Sequence, residues 1–138
     1  MFTHTMRRIY AVYAWLILAA VIVQFFLAGL GVFAGPSNFQ THATFGYTLF
    51  FVMLLGLLLA FAARLPWGRI GLTALLPVLV TLQSVFIALR ESGLPALAAL
   101  HVVNGLAIFS LSAFLALRSR AYFAARKPAP LDATAPSP

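Results

Sequence analysis

The sequence contains no cysteine, which removes disulfides, zinc–thiolate sites, iron–sulfur clusters and thiol nucleophiles together. Acidic residues are nearly as scarce, with only two, Glu91 and Asp132. A multi-carboxylate metal site has too few ligands to form, so any bound metal must rest on histidine or scattered oxygens. Charged residues of both signs make up 8% of the chain, against 63% hydrophobic residues and a mean hydropathy of +1.02. That composition lies outside the soluble globular range and makes the lipid bilayer the solvent. The sequence also lacks a nucleophile–base pair, a phosphate-binding loop and paired acids, so hydrolase or transferase chemistry has no evident site.

What charge there is has one dominant sign and a fixed place. The chain carries nine Lys and Arg and a net charge of +7. In a soluble protein this would point to nucleic acid, but here the basic residues flank apolar runs and form no groove, so no nucleic-acid partner is expected. No charged residue interrupts Ile9 to Ala34, and about 20 apolar residues suffice to cross the hydrocarbon core as a helix. The run is longer than the core of a signal peptide and ends in the turn Gly35-Pro36-Ser37, so it is expected to remain in the mature protein. Further spans are predicted over 37–63, 70–89 and 95–117, bounded by Arg, Gly or Pro. Short loops make sequence neighbours antiparallel neighbours in space. The expected fold is all-α, a four-transmembrane-helix bundle over 1–127, with a disordered Pro/Ala-rich tail over 128–138. Arg7, Arg8, Arg64, Arg69, Arg118, Arg120, Arg126 and Lys127 fall at one end and Arg90 alone at the other. An excess of basic residues marks the cytoplasmic side, so both termini are expected there.

A shift of 59 residues lays the first helix hairpin on the second and aligns Gln24 with Gln83, Pro36 with Pro95, His42 with His101, Gly46 with Gly105 and Phe50 with Phe109. Val21 with Val80 and Leu30 with Leu89 bring the matches over residues 20–50 to seven. Overall identity is modest, yet the matched set includes the rarest residue types in the spans. A duplicated helix pair whose copies enter from the same side is related by an approximate two-fold axis along the membrane normal. Pro36 and Pro95 suit the first turn of a helix, where the missing N–H costs nothing. Each histidine is then expected six residues in, roughly 9 Å below the outer helix ends, with the glutamines deeper at roughly 15 Å. The second and fourth helices are expected to face each other diagonally, bringing the two imidazoles together near the axis.

Intramembrane ionisable residues usually face the bundle interior and mark function. A haem iron takes two axial ligands on opposite faces, and a two-fold axis supplies that arrangement for His42 and His101. Gly46 and Gly105 lie on the same helix faces one turn deeper, where they are expected to leave room for the macrocycle. Phe50 and Phe109 are expected to floor the pocket, and Arg90 to serve as counter-charge for propionates, supplemented by Ser37, Asn38 and Thr41. Gln24 and Gln83 would bond one another, cap a histidine or line a quinone pocket. Simpler readings stand beside these. A lone membrane histidine is more often an interhelical hydrogen bonder than a ligand, and glycine often serves close helix packing. Two of 13 phenylalanines carry little meaning on their own. His4 is assigned no role, and Pro77 is expected to kink the third helix.

The pattern Gln24, His42, Gly46, Gln83, His101 and Gly105 on four short-looped spans resembles small bacterial four-helix membrane proteins of unknown function, over residues from about Tyr10 to Leu117. More loosely, in architecture and histidine placement, the chain is similar to the cytochrome b561 class of four-helix haem cores. The second resemblance implies a transmembrane bundle with bis-His haem b and electron transfer. With only two intramembrane histidines, the chain departs from a two-haem protein and has ligands for one haem b per chain, near one face. The expected function is a b-type cytochrome of the bacterial inner membrane, an electron carrier rather than an enzyme, with a quinone or redox protein as partner. The alternatives are a haem-free structural or accessory subunit and a quinone- or lipid-binding protein.

Overall fold

The computed structural model describes residues 2–123. In chain order these form α1 (Phe2–Phe33), a 3₁₀ turn (Pro36–Asn38), α2 (Phe39–Ala62), α3 (Trp67–Glu91), a one-turn helix α4 (Pro95–Ala98), α5 (Leu100–Ser119) and a second 3₁₀ turn (Arg120–Tyr122). No strand occurs among the described residues. Lipid offers no hydrogen bonds, so an apolar run must satisfy its backbone internally, and a helix does this within one segment. Four helical stretches are long and apolar enough to cross a membrane. Phe26, Val32, Phe51, Leu58, Val102 and Leu106 are exposed on the outside of the bundle, as a multi-pass membrane protein requires.

The span limits differ from the expected ones at the ends. α1 begins at Phe2 rather than near Ile9, so His4, Arg7 and Arg8 lie inside the helix. At ~1.5 Å per residue its 32 residues extend well beyond a hydrocarbon core of ~30 Å. Hydropathy locates the lipid boundary, whereas the backbone ladder continues past it without penalty. α3 similarly runs from Trp67 to Glu91, and Pro77 lies within it without ending it. Arg126, Lys127 and the expected tail lie outside the described residues.

α1 packs on α2 and α5, and α3 packs on the same two helices, leaving α2 and α5 on one diagonal and α1 and α3 on the other. This is the arrangement expected of two repeated hairpins. The turn after α2 is closed by Arg64, whose φ of 48° is left-handed. The N–H of Leu65 bonds the carbonyl of Ala60 and the N–H of Arg64 bonds that of Phe61, the paired closure that lets a helix stop without stranding its last carbonyls. Arg7 on α1 adds hydrogen bonds to the carbonyls of Ala63 and Arg64 at 3.2 and 3.4 Å. The equivalent closure after α3 uses Gly93 at φ 82°, with Leu94 bonded to Leu89 and Gly93 to Arg90.

Most of the buried core, including Tyr10, Ala14, Met53, Leu76 and Ala116, lies between this basic end and mid-bundle. Within it the hydroxyls of Tyr10 and Thr73 bond at 2.7 Å, so two buried polar groups satisfy each other. The opposite end, where the histidines lie, is more loosely filled.

Candidate functional site

Both histidines follow a proline-started turn. Pro36 opens the 3₁₀ turn before α2 and Pro95 opens α4 before α5, consistent with proline at a position where a helix needs no N–H. His42 then falls in the first turn of α2 and His101 is the second residue of α5. The two rings meet across the α2–α5 diagonal, with centroids 6.2 Å apart and planes tilted by 56°.

Each imidazole is anchored in the same way. His42 Nδ1 lies 3.2 Å from the main-chain carbonyl oxygen of Gln24, and His101 Nδ1 lies 3.2 Å from that of Gln83. A carbonyl only accepts, so Nδ1 carries the hydrogen in both contacts, and in a neutral ring so held Nε2 is the nitrogen with the lone pair. A metal-bound histidine is commonly held in this way, its second nitrogen donating to a carbonyl and so fixing the tautomer and ring direction. The two rings are neighbours at a separation that other packed aromatic pairs of the bundle also show, and together they are the two histidines that could hold a haem. No group of three or more His, Cys, Asp or Glu placed to hold a metal ion occurs among the described residues.

The glutamines are level with the histidines, not deeper. Gln24 Nε2 donates to the His42 carbonyl at 2.8 Å while His42 donates to the Gln24 carbonyl. Counting residues at helical rise overstated the separation for two reasons. The 3₁₀ turn after Pro36 descends ~2 Å per residue, more than α-helical rise, and the Gln24 carbonyl points along α1 toward its C-terminal end, back toward His42. The two glutamines act on the histidines through main-chain oxygens, a role that side-chain identity does not announce. Their side chains sit on the glycines. A Cβ on Gly46 would lie 2.9 Å from Gln24 Nε2, and one on Gly105 would lie 3.4 Å from Gln83 Nε2 and 3.7 Å from Phe25. The room left by each glycine is thus taken by a glutamine amide.

The second glutamine has a further partner that breaks the two-fold symmetry. Buried Asn104 donates through Nδ2 to Gln83 Oε1 at 2.9 Å and to the Leu79 carbonyl at 2.7 Å. Its counterpart in the first repeat is Phe45, and there Gln24 Oε1 is buried without a partner. Asn104 is thus part of the site, although it has no match in the repeat to mark it. Phe109 meets Phe25 edge to face at 6.2 Å, whereas Phe50 makes its ring contact with Phe51 at 5.3 Å. Thr44, Tyr47 and Thr48 are exposed on α2, Arg90 is exposed in the last turn of α3, and His4 is exposed on α1.

The unequal clearances give an asymmetric expectation. Alanine gains up to about 1 kcal/mol over glycine in helix propensity, and Gly105→Ala adds only an ordinary contact. Gly46→Ala must also move the Gln24 amide off the His42 carbonyl, a loss of about 0.5–1.5 kcal/mol. Thermal unfolding in one detergent should place Gly105→Ala at or above the parent and Gly46→Ala about 1 kcal/mol below Gly105→Ala. Equal shifts would contradict the packing.

Residues 24–89 match a family of unknown function, DUF6220, a stretch holding Gln24, His42, Gly46 and Gln83 and ending before His101. No curated protein and no solved structure matches the chain. Across the second half of α1 through α3 the chain is therefore similar to a family whose description assigns no activity.

Proposed function

We propose that this chain is a membrane-bound b-type cytochrome holding one haem b between His42 and His101 and passing single electrons between a partner at its outer face and either quinone or another redox subunit. The observation that carries the reading is the imidazole pair, with centroids 6.2 Å apart and both Nδ1 atoms tied to main-chain carbonyls. Bound there, haem supplies a one-electron iron couple. The chain's own part is to keep both Nε2 atoms unprotonated, hold the rings in place and surround them with apolar helices that exclude water. With both His42 and His101 committed to holding it, the group would serve as a carrier of electrons rather than as a substrate-converting site. Arg90 offers a cation for propionates at the histidine end.

The location follows from charge. Arg7, Arg8, Arg64, Arg69, Arg118 and Arg120 share the end opposite the histidines, which supports a bacterial inner-membrane protein with cytoplasmic termini and its haem in the outer half. Single cysteines at Ser37 or Ser92 should react with an impermeant reagent from outside, and one at Gly68 should not. Labelling in the reverse sense would move the haem to the cytoplasmic leaflet.

A haem-free accessory subunit is favoured by one observation, the filling of the glycine sites by glutamine amides. For a quinone site built on those glutamines the amides are poorly placed, since they bond His42 and Asn104. Hemin titrated into folded, haem-free protein separates the two main readings. The cytochrome saturates near one equivalent with a sharpened Soret band, and the accessory subunit leaves hemin free.

A further inference from the structure

We propose that the cleft between the start of α3 and the end of α5 binds the phosphate of an anionic phospholipid and lays the adjoining acyl chain along Leu72 and Phe114. The cleft has a volume of about 220 Å³ and is lined by Pro66, Arg69, Leu72, Phe114 and Arg118. Its chemistry is graded along the membrane normal. Arg69 stands near the beginning of α3 and Arg118 near the end of α5. The two helices run antiparallel, so Leu72, one turn after Arg69, and Phe114, one turn before Arg118, both lie on the mid-membrane side of their arginines. Cationic groups at headgroup depth with apolar groups directly beneath them match the order of parts in a phospholipid.

Among the described residues the guanidiniums are held by aromatic rings and a neutral hydroxyl. Arg69 donates to the Tyr122 hydroxyl and lies 5.3 Å from the centre of that ring, and Arg118 lies 5.4 Å from the centre of the Phe114 ring. Aromatic contacts and a neutral hydroxyl orient a guanidinium without supplying negative charge. Among the described residues no carboxylate lies at the cleft, since Glu91 is at the far end of α3. Two arginines share a cleft in which no described residue supplies a carboxylate, and the planar guanidinium suits the phosphate oxygens of an external anion. Basic pockets between spans on the cytoplasmic side are a recurrent form of lipid headgroup site. The volume is below the roughly 300–1,000 Å³ of sites for whole drug-sized ligands, which fits a headgroup phosphate whose chain continues outside. The proposal stands independently of haem.

Native mass spectrometry of the full chain in mild detergent tests it, with phosphatidylglycerol, phosphatidylcholine or inorganic phosphate added. Phosphatidylglycerol should remain bound at energies that strip phosphatidylcholine. Arg118→Gln should weaken that retention about five- to tenfold, while Arg120→Gln, at the same end but outside the cleft, should leave it unchanged. Arg69→Gln should act like Arg118→Gln, with size-exclusion profiles checking that the loss of its Tyr122 contact has not unfolded the bundle. Equal retention by Arg118→Gln and the parent would overturn the site, as would equal loss in Arg120→Gln, which would mean diffuse surface charge. Phosphate that displaces the lipid at comparable concentration would overturn the lipid assignment.

Discussion

His42→Ala and His101→Ala are each expected to abolish the six-coordinate haem spectrum completely, with neither substitution milder than the other. The two rings are neighbours and make the same 3.2 Å contact to a main-chain carbonyl 18 residues earlier. On the proposed reading each supplies one of the two ligands to the same haem, so removal of either would cost the six-coordinate form. The fold should survive, because each substitution deletes one neutral hydrogen bond worth about 0.5–1.5 kcal/mol. Substituting the glutamine side chains should be gentler, since the acceptor for each ring is the backbone. Gln83→Ala should therefore keep a low-spin spectrum where His101→Ala loses it, and His4→Ala should match the parent. An unchanged bis-imidazole spectrum in either intramembrane histidine variant would refute the pairing.

The largest expected loss of stability belongs to Gly56, away from the histidines. A Cβ there would overlap the Tyr13 phenol. Whereas the atom beside Gly46 is the end of a flexible Gln24 chain, the atoms met here belong to the ring and hydroxyl of a buried tyrosine, 8% exposed. Overpacking of this kind costs about 1–3 kcal/mol, so Gly56→Ala should unfold clearly earlier on heating. The second repeat fills the same place differently. The counterparts of Tyr13 and Gly56 are Leu72 and Leu115, two medium side chains where the first repeat uses a large one and none. The double variant Tyr13→Leu with Gly56→Leu should accordingly be more stable than Gly56→Leu alone, a coupling expected only of residues in contact. Tyr13→Phe should be neutral or stabilising, since the Tyr13 hydroxyl is buried without a partner and such a group carries a desolvation cost of about 1–3 kcal/mol. A strongly destabilised Tyr13→Phe would mean that the hydroxyl has a partner.

The helix count, the diagonal placement of α2 and α5 and the approach of His42 to His101 were legible in the sequence, because apolar run length, loop length and an internal repeat each have a direct geometric meaning. Less of the surroundings was legible, for reasons particular to each residue. Gln24 and Gln83 act through carbonyls that every residue possesses, so their conspicuous amides pointed elsewhere. Gly46 announces a missing side chain but not which neighbour uses the space, and a glutamine stands where a macrocycle was expected. Gly56 faces Leu115 across the repeat, so comparison of the two halves hides it, whereas Asn104, opposite Phe45, is marked by being a polar residue within a span close to His101. Pro36 and Pro95 mark helix starts correctly, yet the short turns they begin alter depth by enough to bring glutamine and histidine level.

The central claim is that His42 and His101 bind one iron from opposite sides, and the visible spectrum of the full chain, purified in mild detergent from cells that make haem, tests it most directly. The expected result is a low-spin, six-coordinate haem b spectrum with a sharp reduced α band and close to one haem per chain. A colourless, monodisperse protein that also takes up no added hemin would contradict it.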